Sequence, residues 1–135
     1  SPRSIMLKDG IALANSHFPL GTGFGSFGST IAAQYYSPVY TMLGYEELTG
    51  MQSTNTTYLA DSFWPGIIAQ FGWLGTGIFV AILILLLCYT ARKLKQNVSA
   101  GCGMLTIMVF MLINSTAESS FFNPPVYSYL FCLAF

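Results

Sequence analysis

The sequence predicts an all-α membrane protein: a fragment of a multi-span helical bundle with a large extracytoplasmic loop. Three observations carry this prediction. Charged residues make up 7% of the chain and hydrophobic residues 53%, whereas a soluble domain carries about 25% charge. Apolar runs in the second half reach the roughly 20 residues a membrane-spanning helix needs. Gly, Ser, Thr and Tyr gather in residues 20–60, ahead of those runs. The chain begins at Ser1 without an initiator Met or a signal-peptide pattern and ends inside "VYSYLFCLAF". It therefore reads as a piece of a longer protein.

Residues 1–60 form the extracytoplasmic region. In "RSIMLKDGIALANSHF", Leu7, Ile11 and Phe18 recur near helical spacing, with Met6 and Leu13 beside them. This predicts a short amphipathic helix ending before Pro19. Residues 20–60 have little periodicity and read as a long ordered or semi-ordered loop, since Tyr35, Tyr36, Tyr40 and Tyr45 argue against disorder.

Residues 61–135 hold the transmembrane helices, at about 66–91, 98–114 and 126–135, the last truncated. In the first, only Gln70 breaks the apolar character. "DSFWP" precedes it: Asp61 suits an N-cap, and Pro65 is tolerated in a first turn. Arg92, Lys93 and Lys95 follow the span, and positive charge beside a span marks the cytoplasmic side. Residues 1–60 and "NSTAESSFFNPP" then lie outside, with a multi-pass chain in the cell (inner or cytoplasmic) membrane and the bilayer as a partner.

Net charge is zero, so no broad basic face exists and no nucleic-acid partner is expected. Cys88, Cys102 and Cys132 sit in apolar stretches without C-x-x-C spacing. They read as small buried hydrophobes rather than a disulfide frame, and no metal site is expected.

"HFPLGTGFGSFGST" contains Gly21, Gly23, Gly25 and Gly28, the last three spelling G-x-G-x-x-G. A dinucleotide fingerprint needs a strand before the glycines and a helix opening at them. "NSHFPL" is a poor strand, and Glu46 and Glu47 join no βαβ pattern. Two readings stay open. The glycines allow positive φ and close packing, or the N–H groups of Gly21, Gly23 and Gly25 form a nest for phosphate.

"PLGTGFGSFGS", a polar aromatic loop, and "YLADSFWPGIIAQFGWLG" leading into a span together resemble the C-terminal part of the O-antigen ligase and polysaccharide polymerase family. The likeness runs from about Arg3 to Tyr89. It implies a helical membrane glycosyltransferase acting on undecaprenyl-pyrophosphate-linked glycan in O-antigen, capsule or exopolysaccharide assembly. It implies no cofactor or metal, because the lipid pyrophosphate is the leaving group. A flippase and a chain-length regulator are the further partners it suggests.

The ligases place an arginine before the helix that precedes the glycine loop, and Arg3 stands there. The resemblance implies that Arg3 binds pyrophosphate. A guanidinium is always charged and bonds two oxygens at once, while an interfacial arginine also snorkels to headgroups. The ligases carry a histidine eleven residues before the Gly at the position of Gly72, and here Asp61 stands at that place. This departure favours a polymerase over a ligase. Asp61 is either the catalytic carboxylate or only a helix cap. His17, the sole histidine, is too early to match. Glu118, in the other outer loop, is either a substrate-binding carboxylate or an exposed acid. Trp64 and Trp73 read as sugar-stacking rings or interface anchors. A transporter of lipid-linked sugars and a non-catalytic scaffold are the competing functions.

Overall fold

In this computed structural model, residues 2–60 and 62–117 are described. The expected third span, Asp61, Glu118 and Cys132 lie outside them. The described residues are helical, without a strand. Helix α1 is Pro2–Ser16, α2 Thr30–Gln34, α3 Pro38–Met42, α4 Phe63–Gln96 and α5 Val98–Ala117, with a 3₁₀ turn at Tyr45–Glu47.

Helix α1 forms where expected, but its buried face differs from the expected one. Met6, Gly10 and Ala14 are buried, while Leu7 and Phe18 are exposed. The reason is close approach to α4. A Cβ on Gly10 would stand 2.9 Å from the Pro65 carbonyl oxygen, so beyond Met6 the seam takes the small residues Gly10 and Ala14, four apart, rather than the larger apolar ones beside them.

The segment between α1 and α4 is ordered by caps and an aromatic core. Ser29 caps α2 by accepting from the Ala32 N–H, and Ser37 caps α3 by accepting from the Val39 N–H, with Pro38 at the first helical position. Phe27, Tyr40, Tyr45, Met51 and Leu59 are buried together with Met6 and Ala69. The Tyr40 and Tyr45 rings stack at 5.5 Å. Each buried phenol finds a partner. Tyr40 Oη accepts from the Gly28 N–H at 2.8 Å, and Tyr45 Oη donates to Asp9 Oδ2 at 2.7 Å. Tyr36 Oη donates to the Met51 carbonyl at 3.2 Å, whereas Tyr35 is exposed.

Burial raises the pKa values of Tyr40 and Tyr45. The Tyr40 phenol is pushed up to about 12, and Tyr45 is raised by burial first and then by Asp9. Because the folded values exceed the unfolded one near 10, the stability these phenols contribute is complete below pH about 10. It is lost as pH rises through about 12 for Tyr40. Alkaline titration should therefore show exposed tyrosines ionising first. Tyr40 and Tyr45 should follow together with the loss of tertiary structure, read by tyrosinate absorbance and near-ultraviolet circular dichroism. Ionisation of every tyrosine near 10 with structure intact would contradict this core.

Helices α4 and α5 are long and apolar enough to cross a membrane. They are joined at Asn97 and run antiparallel, so Trp64 Nε1 near the start of α4 donates to Ser115 Oγ near the end of α5 at 3.2 Å. Leu83, Met104 and Met108 pack between them. At the turn, Gly101 lies against the Leu94 backbone, where a Cβ would collide. Cys88 and Cys102 are exposed rather than buried, because an apolar residue on a two-helix hairpin need not face the partner helix.

Helix α4 is two helices in series. Gly72 breaks it, with φ 61° and ψ −164°. Beyond the break, Trp73 to Gln96 extends about 36 Å at 1.5 Å per residue, enough to cross a hydrocarbon core of about 30 Å.

Candidate functional site at the broken helix and its N-terminus

The glycine loop docks into the break in α4. A break leaves carbonyls without helical donors, and a buried carbonyl without a partner costs about 1–3 kcal/mol. The loop supplies the donors. The Thr22 N–H donates to the Ala69 carbonyl at 2.8 Å, and the Gly23 N–H to the Gln70 carbonyl at 3.0 Å. In return the Leu74 N–H donates to the Pro19 carbonyl at 3.2 Å. Gln70, the one amide side chain in the apolar run, bridges the two pieces. Its Oε1 accepts from the Gly25 N–H at 2.8 Å, and its Nε2 donates to the Phe27 carbonyl.

The phosphate-nest reading needs free, converging N–H groups, and here they are directed elsewhere. Gly21 N–H donates to the His17 carbonyl, Gly23 to Gln70, Gly25 to the Gln70 side chain and Gly28 to Tyr40. Gly21 and Gly28 act as packing residues, against the backbone of α4. All four have positive φ, and Gly21 lies so close to Gly72 that a Cβ on it would stand 2.5 Å from the Gly72 nitrogen.

Beside this junction, at the N-terminus of α4, is a cavity of about 420 Å³. Arg3 and Leu7 of α1, Ser62 to Pro65, Ile68, and Ser115 and Thr116 of α5 line it. The N-cap position of α4 falls on Ser62, not on Asp61, and the Ser62 side chain makes no capping bond. Ser62 is 7% exposed, and among the described residues its Oγ has no hydrogen-bond partner. Pro65 in the first turn of α4 has no N–H to offer, which suits the start of a helix. The partial positive charge of that end adds to the Arg3 guanidinium.

The chemistry of the walls is therefore divided. Leu7, Phe63, Trp64, Pro65 and Ile68 make an apolar surface. Arg3 adds positive charge and Ser62 a hydroxyl, while Ser115 and Thr116 donate theirs to the Leu112 and Ile113 carbonyls of their own helix. An anion carried on an apolar chain suits such a cavity better than a freely hydrated one. Of the residues singled out in the sequence, Arg3 and Trp64 line it. Asp61 and Glu118 lie outside the described residues; they adjoin the lining in sequence, next to Ser62 and two residues after Thr116. Trp73 lies elsewhere, its Nε1 donating to Asn15 Oδ1 at 2.8 Å. His17 is tied to its own turn, with Nδ1 2.9 Å from Ser16 Oγ and 3.2 Å from the Leu13 carbonyl oxygen. Ser62, Ser115 and Thr116 carried no signal in the sequence, because isolated hydroxyl residues at helix ends are common caps. Among the described residues, no group of three His, Cys, Asp or Glu side chains could hold a metal ion.

Comparison with known proteins finds no match to a protein-family model, to a curated protein or to a solved structure.

Proposed function

We propose that this chain is part of a membrane glycosyltransferase of the O-antigen polymerase type, acting on undecaprenyl-pyrophosphate-linked glycan in surface-polysaccharide assembly. The observation that carries the reading is the cavity at the start of α4. It combines the Arg3 guanidinium, a helix N-terminus and the Ser62 hydroxyl, without a partner among the described residues, with an apolar wall. Those are the requirements of a pyrophosphate on a lipid tail: charge and donors for the head, apolar surface for the first part of the chain.

The charges of Arg92, Lys93 and Lys95 near the α4–α5 turn support a cytoplasmic turn. The cavity, at the opposite end of α4, would then lie on the outer side, where the lipid-linked repeat unit is polymerised. A transporter would need polar groups near the middle of its spans. Here Thr76, Thr90 and Thr106 return their hydroxyl protons to carbonyls of their own helices, those of Gly72, Leu87 and Cys102. That favours the enzyme over the transporter.

Arg3→Ala is expected to abolish polymer at an unchanged protein level in the membrane. Arg3→Lys should recover only part of the activity, because Lys keeps the charge but loses the two-pronged contact. The measurement is the glycan chain-length profile in a strain whose own copy is deleted. Full-length polymer from Arg3→Ala would remove Arg3 from the donor site and leave it as a headgroup anchor.

A further inference from the structure

We infer that the tip of the glycine loop is a membrane-docking surface, seated in the outer lipid interface beside α4. The inference rests on α4 crossing the membrane, not on any catalytic role. Phe18, Leu20 and Phe24 are 71%, 66% and 75% exposed, an unusual display for a loop surrounded by water.

These residues are contiguous with the exposed apolar surface of α4. The backbone bond from Leu74 to Pro19 holds Phe18 and Leu20 beside Trp73 and Leu74, both exposed. The Phe24 ring packs 6.1 Å from that of Phe71. The surface continues across Gly25 to Ile31, and one helical turn on to Tyr35, both exposed.

Three features select lipid as the occupant. The patch runs on without interruption from the exposed apolar side of α4, where Ile78, Ile82 and Leu85 are exposed. No Asp, Glu, Lys or Arg occurs between Gly10 and Tyr45, so nothing charged would be carried into the interface. Trp73 and Tyr35 border the patch, and both side chains favour the headgroup level. Irregular backbone near lipid must have its polar groups satisfied internally. The docking of Thr22, Gly23 and Gly25 onto α4 does that for their three N–H groups. The break at Gly72 and the apolar loop tip are then two halves of one device: the loop closes the hydrogen bonds of the break, and the break holds the loop at the depth of the apolar surface.

The test uses the full-length protein in proteoliposomes. Single cysteines replace Phe24, Leu20, Leu85 or Thr54 in a background without the native ones, and each carries an environment-sensitive fluorophore. Labels at 24 and 20 should be quenched by doxyl-labelled lipid about as strongly as the label at 85. They should be quenched by iodide several-fold less than the label at the exposed, polar Thr54. Strong iodide quenching at both 20 and 24 would overturn the inference. So would shielding from both quenchers, which would assign the patch to another protein surface. Failure of lipid to quench at 85 would overturn the membrane-crossing reading and this inference with it. Loss of polymer in Arg3 variants has no bearing on any of these signals.

Discussion

Gly21→Ala is expected to detach the glycine loop from α4 and to lower stability by more than any other substitution in the loop. Gly21 has φ 75°, and an added Cβ would meet the Ala69 carbonyl oxygen, the Gly72 nitrogen at 2.5 Å and the Gln70 carbonyl oxygen at 2.8 Å. All three are backbone atoms, so no side chain can swing aside. The left-handed conformation alone costs an L-residue about 1–2 kcal/mol. Moving the loop away would also leave the Ala69 and Gln70 carbonyls without Thr22 and Gly23 as donors, at about 1–3 kcal/mol for each buried group. The sum, about 3–8 kcal/mol, is comparable with the whole stability of an ordinary domain, about 5–15 kcal/mol. Gly23→Ala separates the two causes. Its φ is 95°, but nothing lies within 4 Å of the added Cβ, so only the conformational cost should appear. Thermal unfolding of the purified protein in detergent should show a large drop for Gly21→Ala and a small one for Gly23→Ala. Equal shifts would mean that the close contact with α4 is not what holds the loop.

The two long helices were legible because an apolar run of sufficient length has few other solutions. The expected ranges 66–91 and 98–114 fall inside the observed Phe63–Gln96 and Val98–Ala117. The break at Gly72 was not legible. A glycine in an apolar helix is ordinarily tolerated, and the demand for positive φ comes from a loop some 50 residues earlier in the chain. Gln70 was visible as the one amide interruption, yet its partners, Gly25 and Phe27, arise only from tertiary contact. The short helices α2 and α3, read as loop, were not legible, because helices of five residues leave no periodicity. For the site, the family resemblance singled out Arg3, and the guanidinium's chemistry supported it. Ser62, Ser115 and Thr116 became candidates only when the antiparallel hairpin brought the end of α5 to the start of α4.

Asp61→Asn is expected to leave single repeat units in place of polymer, at unchanged protein level. Two roles compete for this residue, and they differ in what they require. A cap needs only an acceptor oxygen, which Asn supplies nearly as well as Asp. A carboxylate that merely complements the helix dipole loses about 0.3–1 kcal/mol with its charge. Either way Asp61→Asn would be almost silent in activity. The cap role is also weakened by position, since the N-cap of α4 is Ser62. A catalytic or acceptor-orienting carboxylate needs its negative charge, and Asn cannot take a proton from an acceptor hydroxyl. Loss of a general base typically costs about 10²- to 10⁴-fold in rate. The low end of that range is expected if Asp61 chiefly orients the hydroxyl. Asp61→His installs the residue that the ligases carry at this place and should restore part of the polymer. Ser62→Ala is the control: it removes the neighbouring hydroxyl without touching the carboxylate, and should weaken donor binding rather than the transfer step. Wild-type chain length in Asp61→Asn would assign Asp61 to the helix terminus alone, and the base would have to be sought among other residues.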